Sequence, residues 1–266
     1  MKKLNLVFLP ALMCDENLYS HQIQNLGESF NLHLHKDTQT ADNFINKSYG
    51  DVNSKGNIHV FTIANFDNIT KAAKYIMENL QSFYKNFDKE QFCLIGTSMG
   101  GYIATEIMSL YKTKINKLCL INTSWQTDTK EQEEQRKDGI KLAQQSAEGK
   151  FNPVTDKVLN NYFHNHNLEN YNIVKQMATT LGTKGFINQQ TLILSRSSKV
   201  AEFEDYNIDT LVIGGIYDKL TISGLHHEMC QALPKGKLVI LDKCGHLSPL
   251  DQKVAITALL QLWLQI

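Results

Sequence analysis

One serine of this chain stands in a sequence suited to nucleophilic attack on a carbonyl group. Residues 96–100 read Gly-Thr-Ser-Met-Gly, after the apolar residues 92–95 and before a helical pattern over residues 102–110. This order predicts a buried strand, a sharp turn and a helix, with Ser98 at the apex of the turn. The turn pushes the Ser98 hydroxyl out above the sheet, and the backbone N–H of Met99 points to where negative charge would develop.

A serine hydroxyl needs a base to take its proton, and the base needs an acid to orient it. Asp218 follows the apolar run of residues 210–215, and His246 follows that of residues 238–241. Since the carboxyl ends of parallel strands meet at one edge of a sheet, we expect both side chains to lie beside the serine. The chain order serine, aspartate, histidine is typical of this kind of site. Asp128, one strand earlier, is the alternative acid.

Attack by Ser98 would place negative charge on the former carbonyl oxygen, which two N–H donors must stabilise. Met99 supplies one of them. The loop of residues 10–15, which follows the first predicted strand, is expected to supply the other. We assign the second donor to the backbone N–H of Leu12.

The loops and helices expected above the serine provide candidates for a substrate pocket. These candidates are Met13, Trp125, Phe163 and Leu247. Each of the four is equally compatible with ordinary core packing. Arg196, at the end of a predicted helix, is suited to a substrate carboxylate, to a helix-end charge or to an ion pair.

Strand and helix patterns alternate along most of the chain. Strands are predicted for residues 3–9, 30–35, 58–64, 92–97, 115–121, 210–215 and 238–241. Helices are predicted for residues 15–27, 68–87, 102–110, 223–232 and 249–264. This alternation predicts an α/β fold with a mostly parallel sheet covered by helices on both faces.

His33 and His35 alternate with apolar residues in the second strand and are expected to face solvent. Residues 37–57 are polar and predict a surface excursion.

A block of helical patterns interrupts this alternation after the strand of residues 115–121. Its predicted helices are residues 129–148, 154–163, 173–181 and 186–196. The block is too large for one crossover between parallel strands. We therefore predict a core made of residues 1–124 and 206–266, with residues 125–205 inserted as a helical cap over the carboxyl edge of the sheet.

Composition limits the partners and the compartment. Lys plus Arg and Asp plus Glu both number 27 among the 266 residues, so we expect neither a nucleic acid nor an anionic membrane as a partner. Five cysteines at unrelated spacings predict reduced thiols and a cytoplasmic location. The apolar N-terminus resembles a signal peptide, but Asn5 and Pro10 interrupt it and Met13 is too large for the cleavage position.

The sequence favours chemistry without a cofactor or a metal. The glycines near residue 98 fit neither a phosphate-binding loop nor a dinucleotide motif. His164 and His166 have no third ligand at a spacing typical of zinc sites. A small molecule is therefore the expected partner.

Four segments together resemble the α/β-hydrolase fold family, and in particular its capped serine esterases and lipase-like members. Residues 96–101 match the nucleophile elbow, and residues 9–15 resemble the oxyanion loop, with Ala11 where glycine is usual. Residues 215–218 resemble the loop that carries the acid, and residues 244–250 resemble the histidine loop. The resemblance covers nearly the whole chain and implies the α/β-hydrolase fold with an inserted helical cap.

The resemblance also implies a reaction class. A Ser-Asp-His triad of Ser98, Asp218 and His246 would cleave a small carboxylic ester or a related acyl or carbonyl substrate through an acyl-enzyme. Members that open epoxides or remove halide carry aspartate at the elbow, and dienelactone-type members carry cysteine. Acyl transfer and hydrolytic C–C cleavage use the same triad and stay open, as does a non-catalytic ligand-binding protein on this scaffold.

Overall fold

A twisted sheet runs through the centre of the molecule. The computed structural model describes residues 3–27, 30–37, 44–45, 54–147 and 150–266. Within these residues the sheet has eight strands: β1 (Leu4–Leu9), β2 (Phe30–Lys36), β3 (Phe44–Ile45), β4 (Gly56–Thr62), β5 (Phe92–Thr97), β6 (Ile115–Ile121), β7 (Asp209–Gly215) and β8 (Gly236–Leu241). Their order across the sheet is β3-β2-β4-β1-β5-β6-β7-β8. β3 pairs antiparallel with β2, and all other pairs are parallel, which confirms the predicted sheet. Most of the predicted surface excursion, residues 37–57, lies outside the described residues.

Helices cover both faces of the sheet. They are α1 (Ser20–Gly27), α2 (Ile69–Phe83), α3 (Met99–Tyr111), α4 (Lys130–Gln145), α5 (Asp156–Tyr162), α6 (Leu168–Leu194), α7 (Ser223–Ala232), α8 (Ser248–Asp251) and α9 (Lys253–Leu264). Alternate residues of β1 point to opposite faces: Leu6 and Phe8 pack with the cluster that includes α1 and α9, and Val7 and Leu9 with that of α2, α3 and α7. None of the described helices combines the length and the apolar character needed to span a bilayer.

Helices α4, α5 and α6 lie between β6 and β7. Thr129 begins α4 with a capping box in which Gln132 takes part. α6 joins two predicted helices into one element, which is kinked at Gly182, where φ is 66°. Glycine adopts this left-handed conformation without the steric cost of a side chain. The assignment of this block as a separate cap stays a prediction.

The two histidines of β2 are buried, so the prediction that they face solvent is wrong. His33 is 9% exposed and His35 is 3% exposed. Nε2 of His35 lies 3.0 Å from Nδ1 of His59, and Nε2 of His59 lies 2.8 Å from the Tyr84 hydroxyl. The ring of Phe83, at the end of α2, packs 4.6 Å from that of His33. Strand periodicity separates two faces of a sheet, but here helix α2 covers the face that the histidines occupy.

Candidate active site

Ser98 lies at the turn between β5 and α3 in a strained backbone conformation, with φ 52° and ψ −115°. Non-glycine residues rarely adopt a positive φ, and such strain is concentrated at functional sites. A Cβ atom at Gly100 would overlap the carbonyl oxygen of Leu9, and one at Gly96 would overlap the backbone of Gly100. The two glycines therefore allow β5, α3 and β1 to approach closely around the serine. The N–H of Ser98 donates to the carbonyl of Ile121 at 2.9 Å.

The structure brings together the three side chains that the sequence predicts for the site. Nε2 of His246 lies 2.9 Å from Oγ of Ser98, and Nδ1 lies 2.8 Å from Oδ2 of Asp218. All three residues are at least nine-tenths buried. Asp218 follows β7 and His246 follows β8, so the carboxyl ends of neighbouring parallel strands position both. The arrangement allows a proton to move from the hydroxyl to the imidazole.

Asp218 is held as a carboxylate by its surroundings. Oδ1 accepts the N–H groups of Leu220 and Thr221 at 2.8 and 3.0 Å, and Oδ2 accepts the Thr221 hydroxyl at 2.6 Å. Burial raises the pKa of Asp218, but the charge of His246 and the hydrogen bonds from His246 and Thr221 outweigh it and hold this pKa far below its ordinary value. A carboxylate at Nδ1 favours the tautomer that leaves Nε2 free to accept the Ser98 proton.

Asn122 is a buried residue of the site that the sequence analysis missed. It follows β6 directly, and its Nδ2 donates to Oδ2 of Asp218 at 2.8 Å and to the carbonyl of Gly245 at 3.3 Å. Its Oδ1 accepts the hydroxyl of Ser248. Asn122 therefore joins the acid to the histidine loop. A polar residue at the carboxyl end of a buried strand was the available signal, the same one that identified Asp218.

Asp128 points to two arginines instead of to His246. Its carboxylate accepts hydrogen bonds from Nε of Arg136 at 2.7 Å and from Nη2 of Arg196 at 2.8 Å. Burial raises the pKa of Asp128, but the hydrogen bonds from Arg196 and Arg136 lower it by more, so it stays below the ordinary value. The structure thus pairs His246 with Asp218, and it places Arg196 in an ion pair.

The loop after β1 lies directly against the serine turn. Met13 has a positive φ of 57°, and its N–H donates to Oε1 of Gln189 at 2.8 Å. The N–H of Cys14 donates to the carbonyl of Ala11 at 3.0 Å. Leu12, between them, borders the same cavity as Ser98. The backbone N–H of Leu12 therefore stays the expected second oxyanion donor. The first is the N–H of Met99, at the start of α3.

The sequence profile of the family described as alpha/beta hydrolase fold matches residues 63–253. The chain belongs to the α/β-hydrolase fold family. The matched region contains Ser98, Asp218 and His246. No curated protein sequence matches the chain.

Several solved structures superpose over nearly the whole chain. An esterase from Thermogutta terrifontis, solved with malate bound, has a TM-score of 0.74 at 18% identity and covers 98% of this chain and 89% of its own. An enol-lactonase from Burkholderia xenovorans has a TM-score of 0.74 at 15% identity, covering 100% and 93%. An esterase from Exiguobacterium antarcticum has a TM-score of 0.71 at 16% identity, covering 99% and 92%. At these identities the similarity shows the shared fold.

In this α/β-hydrolase fold protein, a cavity of about 770 Å³ opens above Ser98 and His246. Leu247 and Leu12 both border it. Further lining side chains include Tyr102, Val158, Tyr162, Gln190, Ile193, Leu220 and Ile222. These residues could not be predicted from the sequence, because a helix pattern does not reveal which face of the helix will cover a site.

The other three pocket candidates, Met13, Trp125 and Phe163, lie outside the lining that the described residues form around this cavity. Met13 is 1% exposed and its side chain belongs to the core. The ring of Trp125 packs 4.9 Å from that of Phe203. Phe163 similarly packs against an aromatic ring, 5.6 Å away, in α6. Each residue has its backbone near the site, but the side chain turns into the apolar interior.

A second histidine, His226 of α7, is fully buried behind the acid loop. Neither of its ring nitrogens has a hydrogen-bond partner among the described residues. The ring packs so closely on Gly214 of β7 that a Cβ atom there would overlap it. Burial lowers the pKa of His226 to about 4, so the ring is neutral at physiological pH.

Proposed function

We propose that this protein is a serine hydrolase that cleaves small-molecule carboxylic esters or closely related acyl compounds through an acyl-enzyme. The observation that carries the proposal is the continuous line of hydrogen bonds from Oγ of Ser98 through His246 to Asp218, at 2.9 and 2.8 Å. Each residue in this line has the chemical type that its role requires.

In the acylation step, Oγ of Ser98 attacks the carbonyl carbon while Nε2 of His246 takes the hydroxyl proton. The carbonyl oxygen becomes an oxyanion, which the N–H groups of Met99 and Leu12 stabilise. Asp218 stabilises the imidazolium at Nδ1. His246 then returns the proton to the leaving alcohol oxygen as the C–O bond breaks, and the acyl group stays on Ser98.

In the deacylation step, water takes the place of the alcohol. Its oxygen attacks the acyl carbon while Nε2 of His246 accepts its proton, and the same N–H donors stabilise the second oxyanion. The bond between Oγ of Ser98 and the acyl carbon breaks, and His246 returns the proton to the serine. The products are a carboxylic acid and an alcohol.

Hydrolysis is favoured over transfer by the shape of the site. The cavity is wide and many of its lining residues are polar, so water can reach the acyl group on Ser98. The proteins of similar fold that are named as esterases or an enol-lactonase act on ester bonds, which agrees with this reaction class. We also propose a cytosolic location, supported by the five free thiols.

The test is covalent labelling with a fluorophosphonate probe, combined with hydrolysis of p-nitrophenyl esters of increasing acyl length. Wild-type protein is expected to be labelled and to release p-nitrophenol, and Ser98→Ala is expected to do neither. Ser124→Ala is the matched control, because it removes a serine that borders the same cavity but lies outside the turn. Labelling that persists in Ser98→Ala, or a wild-type protein that neither labels nor hydrolyses any ester, would contradict the proposal.

A further inference from the structure

Two arginines in the wall of the cavity share one carboxylate. Arg136 of α4 and Arg196, after α6, both donate hydrogen bonds to Asp128, and all three border the cavity that contains Ser98. The Asp128 side chain is 5% exposed, that of Arg196 is 7% exposed and that of Arg136 is 21% exposed. This part of the wall therefore carries one positive charge in excess.

The remaining charges of the lining do not cancel this excess. Lys219 and Glu131 are opposite in sign, and both are exposed at the rim, where solvent screens them. Leaving a charge partly buried without a partner is costly. An anion that enters the cavity would reduce this cost.

Arg196 is fixed in place and gives the site its rigidity. Its Nε donates to the carbonyl of Gln126 at 3.3 Å and its Nη1 to that of Ile193 at 3.0 Å. Its guanidinium lies 4.2 Å from the centre of the Tyr102 ring. The N–H of Tyr102 in turn donates to the carbonyl of Ser98 at 3.2 Å. The cationic site is thus within one side-chain length of the helix turn that carries the serine.

Arg136 retains donors for a ligand. Nε and Nη2 donate to Asp128, and Nη1 donates to Oε1 of Gln190 at 2.8 Å. A guanidinium has five N–H groups. One N–H on each terminal nitrogen is therefore left by the hydrogen bonds that the described residues make. Each terminal nitrogen can therefore donate to an oxygen of a bound anion.

Apolar side chains also contribute to the lining. Val158, Leu220, Ile222 and Leu225 are among them. Tyr162 also borders the cavity, and its ring lies 5.9 Å from that of His246. The cavity that contains Ser98 therefore offers both cationic and apolar contacts to a compound that has a carboxylate and a carbon chain.

We infer that Arg136 and Arg196 form an anion subsite, and that the preferred substrate carries a carboxylate in addition to the ester that Ser98 attacks. The substrate class rests on the proposed hydrolase function, whereas the binding of a carboxylate depends only on the arginines. If the arginines merely held the helices together, their loss would affect anionic and neutral substrates equally.

The test compares the monomethyl esters of succinic, glutaric and adipic acids with the methyl esters of the matching monoamides. Each pair differs in charge at nearly constant shape. Wild-type protein is expected to prefer the anionic member of at least one pair by about tenfold in kcat/KM. In Arg136→Gln this preference is expected to disappear through a rise in KM for the anion, with the neutral amide changed by less than about twofold. Arg136→Lys, which keeps the charge but not the paired donors, should be intermediate.

Lys137→Gln is the matched control, because it removes the same charge from the adjacent position of α4, where the side chain is 52% exposed and pairs with Glu134. Its preference for the anion should equal that of wild type. Thermal melts establish that each variant is folded. Equal kcat/KM for both members of every pair in wild type, or equal losses for both in folded Arg136→Gln, would overturn the inference.

Calorimetry on Ser98→Ala keeps this test separate from catalysis. The anionic ester should bind about tenfold more tightly than its amide, and Arg136→Gln in the Ser98→Ala background should abolish the difference. If wild type hydrolyses none of the esters, the hydrolase proposal fails and this measurement alone decides the subsite. Absence of any binding preference for the anionic compounds would overturn it.

Discussion

Oε1 of Gln189 accepts the backbone N–H of Met13 at 2.8 Å, which joins helix α6 to the loop after β1 across 176 residues of chain. Nε2 of the same side chain donates to the carbonyl of Ile63 at 2.6 Å, so both ends of this fully buried amide are engaged. The bond occurs where Met13 has a positive φ. It therefore fixes the conformation of the loop that contains Leu12, whose N–H is the proposed second oxyanion donor.

Gln189→Leu is expected to lower kcat by about tenfold to a hundredfold, because the loop relaxes and the Leu12 N–H loses its alignment with the oxyanion. KM should change much less, since the donor acts mainly in the transition state. Steady-state kinetics on a p-nitrophenyl ester measure both. Asn188→Ala is the control, because Asn188 donates to the carbonyl of Ala64 and not to the loop. Equal losses of kcat in the two variants would contradict this role.

Replacement of the serine or of the histidine should reduce activity to the same floor. Ser98→Ala and His246→Ala each remove one member of a group that acts as a unit, so either loss should cost nearly the full effect. Single-turnover measurements with an activated ester provide the range needed. A His246→Ala variant that keeps full kcat would show that another group is the base.

Asp218→Asn is expected to lower kcat by up to about 10⁴-fold, since an amide at this position favours the wrong tautomer of His246. Asp242→Asn is the matched control: it makes the same change at an exposed residue in the turn after β8. Its kcat should equal that of wild type. The assignment fails if Asp218→Asn is as active as Asp242→Asn.

Asn122→Ala should reduce both activity and stability. It leaves the Ser248 hydroxyl and Oδ2 of Asp218 each with one partner fewer in a buried site, which costs about 1–3 kcal/mol in the free energy of unfolding. We expect kcat to fall by about tenfold because Asp218 and the histidine loop lose their common partner. Urea unfolding and steady-state kinetics test the two effects. Wild-type values of both would show that Asn122 does not position the acid.

Buried neutral histidines should make the fold sensitive to acid. Burial lowers the pKa of His226 to about 4 and that of His35 to about 3, compared with about 6.5 in an unfolded chain. Above about pH 6.5 neither state binds these protons, and below it the unfolded state binds more protons than the folded state. Stability should therefore fall as the pH falls from about 6.5 towards 4, with His226 contributing about 3 kcal/mol.

The measurement is urea unfolding at a series of pH values for wild type and His226→Leu. The variant removes one titrating group, so its stability should depend less steeply on pH over the same interval, by up to about 1.4 kcal/mol per pH unit. Comparing slopes separates this effect from any change in packing, which alters stability at every pH. An unchanged slope would mean that His226 is already protonated in the folded state.

Local sequence determined the strand–turn–helix around Ser98, the alternation that predicts a parallel sheet, and the family, which the profile match confirms. These features depend on glycine positions and on apolar periodicity, which neighbouring residues specify without help from the rest of the chain. The positions of Asp218 and His246 also follow from this level, because the end of a buried parallel strand has a known place in the fold.

Tertiary structure alone decided which acid pairs with His246, because Asp218 and Asp128 both follow buried strands. Packing directs Asp128 to two arginines and leaves Asp218 beside the histidine. It also decided that Met13 and Trp125 turn inwards and that His33 lies beneath a helix. The alternation along a strand shows which residues share a face of the sheet. The elements that cover each face, however, come from distant parts of the chain. Gln189 illustrates the limit: its partner, the N–H of Met13, is 176 residues away, and no local pattern can pair them.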